Sequence, residues 1–182
     1  MKQHQTMKIT TLVCLVAGIA GIAPALWAAE ESMAVSKLLA DAKTQSYAVS
    51  VDASILESYT RQPNLSWESN AAEITRMKDD INILAKTVTQ LNASKAQAAP
   101  WQATATDRII PLMQELAADT TKSIEYLNKN PKKLFMDEYK SYLEENSTMS
   151  TQLSGLISHY VDYGNTKNRM DSLSKKIELP GK

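Results

Sequence analysis

From about residue 31 onward, apolar residues return every three or four positions, the period of helices turned toward a shared core. In the first segment Val35, Leu38, Ala42, Val49, Leu56 and Tyr59 fall on one stripe. In the second the stripe is Trp67, Ala71, Ile74, Met77, Ile81, Leu84, Val88 and Leu91, close to a coiled-coil seam. The third carries Ala105, Ile109, Leu112, Met113, Leu116, Ile124 and Leu127, with Thr120 between. The fourth is the longest: Phe135, Tyr139, Tyr142, Asn146, Met149, Leu153, Leu156, Tyr160, Tyr163, Lys167, Met170, Ser174 and Ile177 alternate intervals of four and three. This spacing predicts helices over approximately 31–60, 67–96, 101–128 and 134–178.

The breaks agree with the periods. No glycine lies between Gly21 and Gly155, and Pro63, Pro100 and Pro131 fall where the pattern stops. Ser66 is placed to cap the second helix, its hydroxyl accepting an orphan backbone N–H. Pro111 lies inside the third pattern and either kinks that helix or begins it, leaving 101–110 as a separate turn. Gly155 and Gly164 lower helix propensity in the fourth by about 1 kcal/mol each, enough for slight bends. Four amphipathic helices joined by short connections predict an all-α fold, an antiparallel four-helix bundle with a long C-terminal helix projecting past its neighbours.

The N-terminus has a different character. Lys2 and Lys8 precede the apolar run Ile9–Ile22, followed by Pro24 and the small-residue stretch Ala25–Ala29. A basic start, a short apolar core and a small-residue exit form a secretory signal peptide, too short for a good membrane span. Residues 1–28 are therefore expected to be cleaved after Ala28, or alternatively after Ala25, with translation starting at Met1 or Met7. Cys14 lacks the small preceding residue of a lipidation site, since Thr11-Leu12-Val13 stand before it. The expected product, 29–182, is one domain, bacterial, periplasmic or extracellular, with no transmembrane anchor after cleavage.

Cleavage also removes chemistry. Cys14 and His4 leave with the leader, so the remaining chain has no cysteine and one histidine, His159. Without Lys2 and Lys8 it carries 18 basic against 20 acidic residues, interspersed, which argues against a nucleic-acid partner. No disulfide framework, Gly-rich phosphate loop or nucleophile elbow exists, and no Glu-x-x-His pair for a di-iron site. No metal or cofactor is expected. The carboxylate pairs Asp79-Asp80, Asp137-Glu138 and Glu144-Glu145, and Glu68 with Glu73, are assigned mostly to solvated outer faces. His159 flanks the fourth stripe and suits a surface residue better than a haem ligand paired with Met33, Met77, Met113 or Met149. Tyr139, Tyr142, Tyr160 and Tyr163 on that stripe read first as core, with Asn146 turned inward to fix register, and second as a groove.

Three stretches, Ser66–Glu73, Trp101–Leu112 and Tyr160–Gly164, resemble a group of uncharacterised exported bacterial helical proteins. The resemblance implies a bundle and export, and no activity. The expected function is a non-enzymatic interaction or structural module of the cell envelope, contacting a protein partner or itself through the C-terminal helix. The alternative is a periplasmic bundle binding haem or an apolar molecule at His159, Tyr160, Tyr163 and Met149.

Overall fold

The structure is a computed structural model that describes residues 31–62 and 66–178. Among these residues all regular structure is helical: α1 Met33–Tyr59, α2 Trp67–Ala93, α3 Pro100–Lys129 and α4 Asp137–Glu178, with one 3₁₀ turn, Lys95–Gln97, between α2 and α3. The leader, its cleavage site and the break at Pro63 lie outside the described residues.

α1, α2 and α3 each begin where a backbone donor finds a side-chain acceptor. Ser32 and Ser66 cap α1 and α2 through their hydroxyls, accepting from the N–H groups of Val35 and Ser69. α3 opens with Pro100, whose fixed φ and missing N–H cost nothing at a first position, while the Gln102 amide reaches back to the Ala99 N–H at 2.9 Å. Pro111 neither ends nor divides α3: the helix is continuous through it, with the ring on an exposed face. α4 starts at Asp137, later than the periodicity predicts, and Phe135 stands exposed in the preceding turn. Leu134 takes the core place beside it.

The helices pack around a square in which α1 touches α2 and α4, and α3 touches α2 and α4. Adjacent helices are antiparallel. Down the α1–α4 pair, Glu31 meets Asn168, Lys43 meets Asp162 and Glu57 meets Ser147, one number rising as the other falls. The α2–α3 pair shows the same order, from Lys95 with Asp107 at one end to the Trp67 indole on the Leu127 carbonyl at the other.

Inward positions follow a heptad on every helix, unbroken along α1 and α2: Val35, Leu39, Ala42, Ser46, Val49, Ala53 and Leu56 on α1, and Asn70, Ile74, Met77, Ile81, Leu84, Val88 and Leu91 on α2. On α3 they include Gln102, Thr106, Ile109, Met113, Leu116, Thr120, Ser123 and Leu127. On α4 they are Tyr139, Leu143, Asn146, Ser150, Leu153, Ile157 and, further on, Gly164. Here the predicted stripe is half right. Every seventh residue from Tyr139 to Leu153 faces in, but the second inward row is Leu143, Ser150, Ile157 and Gly164, one place after Tyr142, Met149, Leu156 and Tyr163. Those larger side chains cover the flank instead, and Lys167, Met170 and Ile177 do not reach the core.

Buried polar groups hold this packing in register. Asn146 accepts from the Thr120 hydroxyl at 2.9 Å and donates to Ser123 Oγ and the Tyr142 carbonyl, each at 2.8 Å. Two further ties cross the diagonals of the square. Gln102 of α3 donates to the Ser32 carbonyl and Ser36 Oγ and accepts from the Ser32 N–H. At the other end the Tyr139 hydroxyl of α4 donates to Asn70 Oδ1 of α2 at 3.1 Å.

The two α4 glycines are unlike. A Cβ on Gly155 would meet nothing within 4 Å, whereas one on Gly164 would lie 2.7 Å from the Trp101 ring. We therefore expect Gly155→Ala to stabilise the bundle by about 1 kcal/mol through helix propensity. Gly164→Ala should fail to gain this and fall at least about 1 kcal/mol below it, from overpacking. Urea unfolding of the two variants checks the difference; equal gains would show that the indole yields freely. In the same assay, Tyr139→Phe should cost about 1–3 kcal/mol by leaving buried Asn70 Oδ1 without its donor.

Candidate functional site

Of the residues singled out for ligand binding, His159 and Tyr163 are exposed, while Tyr160 and Met149 are half-buried. All four lie on α4, so Met149 stands about 15 Å along the axis from His159 at 1.5 Å per residue. Met149 lines an open groove of about 460 Å³ with Glu115, Asp119, Glu144, Glu145 and Gln152. Tyr163 belongs to a different place, packed edge-on against Trp101 with ring centres 5.4 Å apart. Trp101 and Gly164 in turn help to line a smaller, more enclosed hollow of about 110 Å³ with Glu31, Ser36 and Asn168. The structure thus brings Tyr160 and Tyr163 near His159 by helix spacing and leaves Met149 apart. Of the nominal methionines, Met77 and Met113 are buried in the core and Met33 is exposed on the first turn of α1.

The densest set of ionisable groups lies elsewhere, between α1 and α2. Asp52 is buried, and its Oδ1 accepts from Arg76 Nε at 3.0 Å, with the same guanidinium also pairing with Glu73. Asp80 completes the cluster, one turn on from Arg76. Burial raises the Glu73 carboxyl above the usual range. Burial and the neighbouring Asp52, through its charge and a hydrogen bond to the protonated form, do the same to Asp80. The Arg76 guanidinium is pushed upward chiefly by its hydrogen bond to Asp52. Arg76 pairs with Asp52 and Glu73 while Asp80 crowds in beside them, so the arrangement favours holding a proton. None of its four members lines the hollows of about 460, 390, 370 and 110 Å³. The cluster acts as a clamp between two helices.

Two members of this clamp correct the sequence reading. Glu73, assigned with Glu68 to a solvated face, is buried, whereas Glu68 is exposed. Asp52 does not stand out in the sequence, although the α1 stripe leaves a gap between Val49 and Leu56 that position 52 or 53 must fill. Both do, Ala53 on the seam and Asp52 beside it. Asp119 on α3 is similarly buried, paired with Lys122 at 2.7 Å. Glu57 has the opposite electrostatic sense: the hydroxyl of Ser147 and then Arg61 hold its carboxyl below the usual range.

Two other hollows, about 390 and 370 Å³, are open surface grooves, one along α1 around Tyr47 and Val51 and one between α3 and α4 around Lys122 and Tyr142. Among the described residues, no group of three or more histidine, aspartate or glutamate side chains is placed to hold a metal ion.

The end of α4 differs from all of these. Asn168 meets Glu31 just before the start of α1, and the helix then continues for ten more residues, about 15 Å. There Met170 is 63% exposed, Leu173 48% and Ile177 77%, and Tyr163 on the adjoining turn is 53% exposed. Among the described residues, no helix is long and apolar enough to cross a membrane. Compared with protein-family models, curated proteins and solved structures, the chain matches none.

The acidic clamp predicts a pH signature. Because Asp80 binds its proton more tightly when folded, that contribution is full below the unfolded aspartate value of about 3.9. It is lost as pH rises through the higher folded value. Asp80→Asn keeps a donor toward Asp52 at every pH. We expect it to exceed the parent in stability by about 0.5–1 kcal/mol at neutral pH, the scale of screened surface electrostatics, and to lose the advantage in acid. Urea unfolding at both pH values measures this, and a pH-independent difference would contradict the assignment.

Proposed function

We propose that the chain is an exported, non-enzymatic helical bundle, serving as an interaction or structural module of the bacterial cell envelope. One observation carries the reading: α4 outruns the bundle and bares Met170, Leu173 and Ile177 where they contribute nothing to the core. Contiguous exposed apolar surface of this kind marks contact sites. Several buried polar groups support the same reading by serving helix registry, as in the bonds of Asn146, Gln102 and Tyr139. The N-terminal pattern of Lys2, Lys8, Ile9–Ile22 and Ala25–Ala29, and the resemblance of three stretches to exported helical proteins, support the location.

Export is tested by expressing the full chain in a Gram-negative host, separating the compartments and sequencing the N-terminus of the product. We expect the protein in the envelope fraction, beginning at Ala29 or, with the alternative cut, at Leu26. An intact chain confined to the cytosol would defeat the proposed location.

A further inference from the structure

We infer that the projecting end of α4 docks on an anionic lipid surface. The inference rests on the envelope reading above and names the partner that the bared helix face fits. At about 100° per residue, Tyr163, Met170, Leu173 and Ile177 fall within one arc about 80° wide. Cations border it on both sides: Arg169 and Lys176 along one edge, Lys167 along the other. Asp171, which pairs with Lys167 at 2.8 Å, lies beyond that edge, away from the apolar arc. Residues 165–178 hold four cations, Lys167, Arg169, Lys175 and Lys176, against Asp171 and Glu178, in a chain whose formal net charge is zero.

This pattern separates the lipid surface from a second copy. The apolar arc offers four partly exposed side chains, far fewer than the roughly 20–30 residues a side of a stable protein interface burying about 800 Å² per partner. Arg169 and Lys176 make one edge of the arc basic, so pairing two copies along that edge sets cation against cation, while on the other edge Asp171 neutralises Lys167. A bilayer reverses both terms. Its acyl boundary accepts a shallow apolar strip of any length, and anionic headgroups neutralise flanking lysine and arginine side chains that extend past their own apolar stems. With no span long enough to insert among the described residues, the segment lies along the surface. The geometry supports this: among the described residues the segment is free of tertiary partners beyond Asn168, and it leaves the bundle at the end where α1 begins.

A local probe tests the contact. In the full chain carrying Cys14→Ser, an environment-sensitive fluorophore is attached at Leu173→Cys, or at Ser54→Cys, an exposed site near the C-terminal end of α1. With vesicles of phosphatidylglycerol and phosphatidylcholine, emission from the Leu173→Cys protein should rise several-fold and shift to the blue, while the Ser54→Cys protein stays unchanged. Vesicles of phosphatidylcholine alone should give little response, and added salt should weaken the binding. Arg169→Gln with Lys176→Gln, both on exposed positions, should lower apparent vesicle affinity at least about tenfold with the thermal unfolding curve unmoved. A silent probe at 173, an equal response to neutral vesicles, or a rise with protein concentration in the absence of lipid would each overturn the inference, the last in favour of self-association. An exported chain with a silent probe defeats only the lipid contact. A responding probe in a chain retained in the cytosol defeats only the proposed location.

Discussion

A buried amide must find its partners at one level of the bundle and at no other, and Asn146 does so between α4 and α3. Its oxygen takes the Thr120 hydroxyl, and its nitrogen serves Ser123 and the Tyr142 carbonyl. An apolar heptad tolerates a slide of seven residues with modest loss, because one leucine replaces another. A polar group slid by the same amount loses its hydrogen bonds while staying out of water, at a cost of about 1–3 kcal/mol for each unpaired group. The alignment of α4 against α3 therefore depends on this residue. The two diagonal ties add a second constraint. Gln102 to Ser32 and Ser36 fixes α3 against α1 at one end, and Tyr139 to Asn70 fixes α4 against α2 at the other. Sliding any helix along its neighbours breaks at least one of these bonds.

Close approach explains the glycine on the α4 seam. Where α4 lies against its neighbours, the inward row includes Ser150 and Gly164, and Gly164 has room for no side chain beside the Trp101 ring. The larger Tyr142, Met149 and Leu156 sit one position away and roof the contact from the side.

Much of this architecture is legible in the sequence. The four helices, their antiparallel order, the cap at Ser66 and the inward Asn146 follow from period, punctuation and residue type. The α2 stripe matches the observed seam from Ile74 to Leu91 because its largest apolar residues are also its innermost. On α4 that equivalence fails. A periodicity argument follows hydrophobic bulk, whereas the inward residue at positions 150 and 164 is small, so there the inferred row stands one residue from the real one. The buried carboxyl groups escape for a related reason. Asp52 and Glu73 look like surface residues until Arg76, from the facing helix and from one turn along, makes their burial tolerable. Such a pairing is a tertiary fact. Pro111 shows the converse: an exposed helix face lets a residue with a strong local preference pass without ending the helix.

The residues singled out for ligand binding form no single site, because a single helix presents them at several heights and on several faces. His159 looks outward, Met149 faces an acidic groove, and Tyr163 leans on Trp101. The contact between Trp101 and Gly164 has a mechanical side as well. It is one of the last places where α4 is gripped before leaving its neighbours, together with the nearby pair of Glu31 and Asn168. A helix gripped along most of its length and free at one end is a lever, with its fulcrum at the final grip. A sideways load on Ile177 is therefore delivered, magnified by the arm, to an indole at the start of α3 and a carboxylate at the start of α1.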